Sequence, residues 1–329
     1  MVKRLILPIG AALALAAFFV LSLMVGRVWI DPAVLFASLS APKPDLAWLI
    51  LFELRLPRSL LALLVGTSLG LSGAVLQGLL RNPLADPGLL GVTAGASLGA
   101  VVAIYFGLSA SLALVTPVMG IIGAVLAAAL TLAIGRNGTL TMILAGAAVT
   151  GLMGAGLSLA LNFAPSPYAA YEITSWLLGS LADRSWDHLL LALPFMLVGW
   201  ACLIATMRDL DALTLGEVQA ESLGVNLSRT RFLALAGTAL AVGSATAVCG
   251  AIGFIGLMAP HLVRPFVGHE PRRVLLPAAF VGAMLLLIAD IAARLIPSSL
   301  ELKLGVLTSL AGTPFFFWLV LRLRRMAPS

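Results

Sequence analysis

The residues that could do chemistry in this chain are few, and the most notable are polar side chains inside apolar segments. Asp290 and Arg294 are four residues apart, which places them on one face of a helix. The carboxylate could couple an ion to transport, or it could form a structural ion pair with the arginine. Gln77 lies in another apolar stretch, where it could bond a neighbouring helix or line a pathway.

Motifs for nucleotide or metal chemistry do not occur in the sequence. The chain has three lysines and none follows a glycine, so the phosphate-binding motif Gly-x-x-x-x-Gly-Lys-Ser/Thr is missing. His188, His261 and His269 are scattered and have no partner at the spacing of metal ligands. We therefore expect no metal site, no catalytic residues and no enzyme activity in this chain.

The elements that hold these residues are predicted to be membrane helices. Of 329 residues, 61% are hydrophobic and 10% are charged, and the mean hydropathy is +1.09. A span needs about 20 apolar residues. Such runs lie near 5–25, 57–79, 88–107, 112–135, 140–162, 188–208, 229–250, 273–296 and 304–321, with a shorter one at 252–266. The sequence thus predicts an all-α polytopic membrane protein with about ten transmembrane helices in one bundle, a single domain over 1–329.

The basic residues indicate topology. The formal net charge is +6, which could suggest nucleic acid, but most of the lysines and arginines fall on the same side of the predicted helices as Met1. Cytoplasmic loops of membrane proteins carry such an excess. We therefore expect a cytoplasmic N-terminus and membrane lipid as surroundings, and no nucleic-acid partner.

A polar turn separates two of the predicted spans. The stretch from Gln77 to Gly91 contains Asn82, Leu84 and two prolines, and apolar helices flank it directly. Non-helical backbone at this depth persists only where protein or a water-filled cavity satisfies it. The turn is therefore a candidate for a gate at the cytoplasmic end.

The longest inner connection, residues 208–231, carries an apolar stripe. Gly216 and Gly224 divide it, and Gly224-Val-Asn is typical of a helix end. The stripe consists of Leu213, Leu215, Val218, Ala220 and Leu223. We predict two short amphipathic helices across the cytoplasmic mouth, over about 208–228. They could be solvated loop helices, but an exposed apolar stripe favours a protein partner.

With these residues laid out, the chain resembles the FecCD family of ABC importer permeases, from about Arg55 to Leu323. The similar blocks, in order, are Arg55-Leu-Pro-Arg58, Gln77 with Arg81-Asn-Pro-Leu-Ala85, Pro87-Gly-Leu-Leu-Gly91, Trp176-Leu-Leu-Gly-Ser180, Leu215-Gly-Glu217, Ser222-Leu-Gly-Val225, Gly250-Ala-Ile-Gly-Phe-Ile-Gly-Leu-Met-Ala-Pro-His261 with Arg264, Ala289-Asp290, Arg294, Gly305-Val-Leu-Thr308 and Gly312-x-Pro314. The family imports ferric siderophores, haem or vitamin B12.

The resemblance implies a type II ABC importer permease in the bacterial inner membrane. It implies pairing with a second copy or a close paralogue, two ATPase subunits that bind ATP and Mg on the inside, and a substrate-binding protein outside. It also implies roles for residues: Arg55 and Arg294 in docking the binding protein; Leu213, Leu215, Gly216, Glu217, Leu223 and Gly224 in coupling to the ATPase; and Gln77, Asn82, Leu84, Thr139 and Leu140 along the gate and pathway.

The substrate and the class of transporter leave alternatives. We favour an iron chelate, a ferric siderophore or haem, with vitamin B12 or molybdate as alternatives. The rival from another class is a secondary transporter that uses Asp290 as its ion-coupled carboxylate and needs no ATPase. A channel is a third option, but the sequence has no charged ring or repeated filter.

Overall fold

The computed structural model describes residues 2–26, 28–34, 46–110, 112, 114–136, 138–296 and 302–326, and all regular structure in these ranges is helical. The helices, in chain order, are α1 (Val2–Met24), α2 (Leu46–Leu79, π-helical over Ile50–Arg55), α3 (Val92–Tyr105), α4 (Val115–Ile134), α5 (Thr139–Asn162), α6 (Pro167–Leu177), α7 (Trp186–Ala205), α8 (Met207–Leu213), α9 (Glu217–Ser222), α10 (Leu227–Cys249), α11 (Ile255–Val267), α12 (Pro271–Leu295) and α13 (Leu304–Met326). Short 3₁₀ helices span Pro87–Leu90 and Leu108–Ala110.

The membrane-capable helices match the predicted number. Seven described helices, α2, α4, α5, α7, α10, α12 and α13, are long and apolar enough to cross a bilayer. Three shorter apolar helices, α3, α11 and Gly10–Met24 within α1, bring the total to ten (7 + 3). The expectation of an all-α bundle of about ten transmembrane helices is confirmed.

Burial divides these helices into a central set and a peripheral set. In α2 and α10, 78% of the residues in the most apolar 18-residue stretch are buried, and in α12 the share is 56%. The share is 39% in α4, 28% in α7 and 22% in both α5 and α13. The central helices therefore bury most of their surface inside one chain, whereas α5 and α13 present apolar side chains outward.

Small residues allow the central helices to approach closely. A Cβ added to Gly66 would overlap the carbonyl oxygen of Gly282, and one added to Gly70 would overlap that of Ala278. The Gly-x-x-x-Gly spacing of α2 therefore serves packing against α12 in the same chain, as expected for helices that associate in lipid. This contact leaves α2 and α12 as one tightly packed unit at the centre of the fold.

The inner connections have the form that the sequence suggests. After α2 ends, a short non-helical stretch and the 3₁₀ helix Pro87–Leu90 lead into α3. Between α7 and α10 lie the two short helices α8 and α9, as predicted for this segment. Gly224 has φ +88° directly after α9, and the Val225 N–H donates to the Ala220 carbonyl at 3.0 Å. This left-handed cap ends the helix where the glycine was expected to do so.

Candidate functional site

The polar turn after α2 is shaped by its own side chains. The Asn82 Oδ1 accepts a hydrogen bond from the Leu84 N–H at 2.9 Å, and Asp86 Oδ1 accepts one from the Gly88 N–H, also at 2.9 Å. These bonds satisfy backbone groups that no helix supplies with partners. Burial raises the pKa of Asp86, and the Gly88 N–H opposes that rise. The turn is thus a defined structure with a partly buried carboxyl.

A network from α11 holds this turn in place. Arg264 donates to Gln77 Oε1 at 2.6 Å, and the Gln77 amide nitrogen lies 3.4 Å from the carbonyls of both Ala85 and Leu257. His261 Nε2 lies 2.7 Å from the Pro83 carbonyl, which can only accept, so this nitrogen carries the proton. Gln77 is 3% exposed, and its hydrogen bonds therefore connect α2, the turn and α11 inside the protein.

Sequence reasoning gave His261 and Arg264 no role. The sequence does contain an indication of a role, because two polar residues three positions apart in an apolar helix lie on the same face. The Nδ1 of His261 lies 3.5 Å from the Arg264 guanidinium, and with Nε2 protonated it is an acceptor. The pair therefore acts as a unit on the turn.

The four predicted gate residues occupy two separate places at the inner end. Asn82 and Leu84 lie in the turn, while Thr139 and Leu140 begin α5. No hydrogen bond joins the two pairs among the described residues. Leu140 is 70% exposed, as a residue facing a pathway or a second subunit would be. The turn and α5 are connected by packing of the 3₁₀ helix Pro87–Leu90 on α5, where the Thr150 hydroxyl lies 3.2 Å from the Gly88 carbonyl.

The apolar stripe of the coupling segment divides into a buried and an exposed set. Leu215, Val218 and Leu223 are 63%, 71% and 65% exposed. Leu213 is only 2% exposed and packs in the core with Ala220. The expectation that Leu213 and Ala220 belong to the exposed face is wrong, because Leu210 and Leu213 share the face of α8 that turns inward and Ala220 is buried in the same core. The two buried side chains anchor the segment, and the three exposed ones form a surface that we call the apolar triad.

Gly216 and Glu217 form the joint between α8 and α9. Gly216 has φ +114°, a backbone region that favours glycine, and its carbonyl accepts the Ala220 N–H at 3.0 Å. Glu217 turns back toward the bundle, where it accepts a hydrogen bond from the Thr139 hydroxyl and pairs with Arg231 at 3.0 Å. The structure thus brings together a predicted coupling residue and a predicted gate residue.

At the opposite end, Arg55 and Arg294 come together around the end of α1. Arg55 donates to the carbonyls of Leu23 and Met24 at 2.8 and 2.7 Å. Arg294 donates to the carbonyls of Ser22 and Val25, both at 2.8 Å. Arg55 is 7% exposed, and so is the Arg294 side chain, so both guanidinium groups lie beneath the surface and do not project into solvent.

Asp290 lies between two arginines beneath this surface. The carboxylate is 2.6 Å from Arg294 and 2.7 Å from Arg58, and its side chain is fully buried. The expected pair with Arg294 therefore exists. Arg58 was missed as a partner because 232 positions separate it from Asp290 in the sequence.

Above them a cavity opens outward with a volume of about 920 Å³. Its charged lining residues are Arg55, Arg58, Arg184, Arg294, Glu53 and Asp183. With the buried Asp290 beneath them, the four guanidinium groups face three carboxylates, and the net charge of +1 favours an acidic ligand or protein surface. Burial lowers the pKa of Arg184, although Asp183 acts in the other direction.

Comparison with known proteins agrees with this geometry. The family model described as the FecCD transport family matches residues 14–322. The hemin transport system permease protein HmuU of Yersinia pestis is 41% identical over 286 residues, which cover 85% of each chain. The vitamin B12 import system permease protein BtuC of Vibrio cholerae is 39% identical over 307 residues, covering 92% of this chain and 90% of the relative.

A solved structure in an inward-facing conformation, assigned to the metal-chelate type of ABC transporter, superimposes with a TM-score of 0.83 and 33% identity. It covers 95% of this chain and 98% of its own. The similarity thus extends over nearly the whole length of both chains. The chain belongs to the FecCD transport family and is a multi-pass permease of the inner membrane.

Proposed function

We propose that this chain is the permease subunit of an ATP-driven importer that carries an iron chelate, a ferric siderophore or haem, into the cytoplasm. The observation that carries the proposal is the apolar triad, which stands out on the inner face of a chain with no nucleotide motif. The haem and vitamin B12 permeases among its relatives support a large metal chelate as substrate. Vitamin B12 is the alternative substrate, and molybdate is a minor one.

The direct experiment is uptake into proteoliposomes. The permease is reconstituted with its partner ATPase and substrate-binding protein, and labelled ferric siderophore, haem, vitamin B12 and molybdate are offered in turn. We expect accumulation of an iron chelate that requires ATP and the binding protein. Accumulation that follows an ion gradient without ATP would instead establish the secondary transporter. Uptake of vitamin B12 alone would correct the substrate and keep the mechanism.

The apolar triad is proposed to seat in a groove of the ATPase, which binds the ATP and Mg. Leu215→Asp places a charge at the centre of an apolar contact, so the ATPase should no longer copurify while the permease stays in the membrane. Ser222→Asp is the matched control, since it adds the same charge at an exposed polar position of α9. An intact complex and full transport with Leu215→Asp would contradict the proposed contact.

The positive outer cavity is proposed to receive acidic residues of a binding protein. Rim charges of this kind mainly set association rate and salt dependence. Because Arg55 also holds the end of α1, its exchange to Glu is tested together with a thermal stability measurement. A fold of normal stability with weaker capture, restored by a basic residue on the partner, supports docking. Loss of stability without rescue by any partner exchange would assign Arg55 a structural role only.

The inner turn and the start of α5 are proposed to close the pathway between two copies of the permease. Cysteines at Leu84 or Leu140 should crosslink between subunits in one nucleotide state and not in another. Leu262→Cys offers a control on a different helix, α11, where the side chain is 37% exposed. Equal crosslinking at Leu84 and Leu140 with and without ATP would show that these residues form static packing.

A further inference from the structure

One carboxylate at the inner face joins three helices near their N-termini. Glu217 is the first residue of α9, and Thr139 is the first residue of α5. The Thr139 hydroxyl donates to the Glu217 carboxylate. The first amides of a helix have no partner within the helix, and an anion there is favoured by the helix dipole. Glu217, which belongs to a different helix, therefore places a negative charge at the start of α5.

The other carboxylate oxygen extends the contact to α10. It lies 3.0 Å from the Arg231 guanidinium, which is in the second turn of α10 and 8% exposed. Arg231 also donates to the Arg136 carbonyl at 3.3 Å, in the connection that precedes α5. Burial acts to raise the pKa of Glu217, but the Thr139 hydrogen bond and Arg231 more than offset it, so the pKa is lowered. The carboxylate is thus ionised and bonded on both oxygens.

Helix α9 has different tasks on its different faces. Val218 and Leu223 are exposed, and Ala220 is buried against the core. Glu217 stands at the end nearest to α5. Among the described residues, the side-chain bonds from α9 to α5 and α10 are those of Glu217, so a partner that pushes on the exposed side chains moves a short helix linked to both through this carboxylate.

We infer that Glu217 is a positioning residue that transmits movement of the coupling segment to the start of α5. This inference rests on the proposed function, in which the ATPase contacts the apolar triad and Thr139 and Leu140 belong to the gate. The link is suited to the task because its bonds involve a charge and are geometrically specific. When α9 shifts, Thr139 is drawn with it through this hydrogen bond, and Leu140 moves at the gate.

The test measures substrate transported per ATP hydrolysed in proteoliposomes that contain the ATPase and binding protein. Glu217→Ala removes the link and leaves the apolar triad unchanged. We expect the complex to assemble and to hydrolyse ATP, with transport per ATP reduced roughly tenfold, since a hydrogen bond to a charged group is worth at least a factor of that order. Glu221→Ala is the control, because Glu221 is the other acid of α9, is exposed, and has no described ion pair.

A second pair of variants keeps the test decisive if Glu217→Ala is unstable. Thr139→Ser keeps the hydroxyl and should transport normally, whereas Thr139→Val removes it and should resemble Glu217→Ala. The double variant Glu217→Ala with Thr139→Val should be no worse than either single one, because both break one link.

The outcomes separate this inference from the proposed function. If the unaltered protein takes up no substrate with ATP, the proposed function fails. If it does, and Glu217→Ala and Thr139→Val transport as much per ATP as the unaltered protein, the inference alone is wrong. Loss of the ATPase from Glu217→Ala would also overturn it, because Glu217 would then be a docking contact.

Discussion

The buried carboxylate of Asp290 provides the sharpest test of the energetics. Its neighbours Arg58 and Arg294 are 12% and 7% exposed, and Asp290 itself is fully buried. The formal charge of these three groups is +1. Asp290→Asn raises it to +2 and keeps the size of the side chain. Removal of one partner from a buried ion pair costs about 3–5 kcal/mol, since a charge is left without compensation.

The matched control is a carboxylate at the surface. Glu270 pairs with Arg273 at 2.5 Å, but their side chains are 60% and 61% exposed. An exposed pair contributes about 0.2–1 kcal/mol because water screens it and side-chain freedom is lost. Glu270→Gln should therefore change the free energy of unfolding by less than about 1 kcal/mol, several times less than Asp290→Asn.

The assay is reversible unfolding in mixed micelles, followed by tryptophan fluorescence, at low and at high salt. We expect Asp290→Asn to reduce the ratio of folded to unfolded protein by two to nearly four orders of magnitude, at about 1.4 kcal/mol per factor of ten. The effect should persist at high salt because buried pairs are screened little. A change as small as that of Glu270→Gln would refute the view that this carboxylate holds the two arginines.

The same variant also distinguishes the two classes of transporter. In a secondary transporter that uses Asp290 for ion coupling, Asp290→Asn abolishes coupled uptake even when the protein is folded. In an ATP-driven permease the folded fraction should still take up substrate with ATP. Uptake is therefore normalised to the amount of monodisperse protein recovered from the membrane.

Further predictions concern packing, the turn and pH. Gly70→Val should destabilise by about 1–3 kcal/mol because its side chain would overlap α12, while Gly10→Val, at a position with no neighbour within 4 Å, should be nearly neutral in the same thermal assay. Asp86→Asn should be at least as stable as the unaltered protein at pH 7, since burial disfavours the charged form and the amide oxygen still accepts the Gly88 N–H. Asp86→Ala should lose about 1 kcal/mol of stability because the capping bond is gone. A loss of equal size with Asp86→Asn would contradict the view that the turn needs only the hydrogen-bond acceptor. Because the pKa of Glu217 is lowered, the stability that its ionised carboxylate adds to the folded protein is present above the ordinary glutamate pKa and is lost only as pH falls below it. Transport per ATP should therefore be constant between pH 8 and 6. A change in transport per ATP within that range would show that the carboxylate is not held as described.

The sequence predicted the helices well because the bilayer imposes a simple rule. A span must be apolar and about 20 residues long, so composition alone locates it. The glycine cap after α9 follows from a backbone region that favours glycine, and Gly224 indeed has φ +88°. The glycine spacing that allows α2 to pack closely against α12 is likewise a local property of the helix. These features depend on residues near one another in the chain.

The contacts that build the candidate site are distant in sequence, and here prediction was incomplete. Arg58 and Asp290 are 232 positions apart, and His261 and Pro83 are 178 apart. Only the packing of α2 against α11 and α12 brings these groups together. The prediction that Leu213 is exposed on the coupling segment was wrong for a related reason. Apolar character at the surface of a helix and apolar character in the core have the same sequence signature.

The tight pairing of α2 and α12 has a practical consequence for measuring motion. Two helices whose backbones meet at glycine cannot slide without a clash, so their separation should be constant through a transport cycle. Spin labels or fluorophores on these two helices would provide a fixed internal ruler. Distances from that ruler to α5 and α13, whose surfaces lie mostly outside the core, would then report displacement of the outer helices free of overall tumbling or subunit rearrangement.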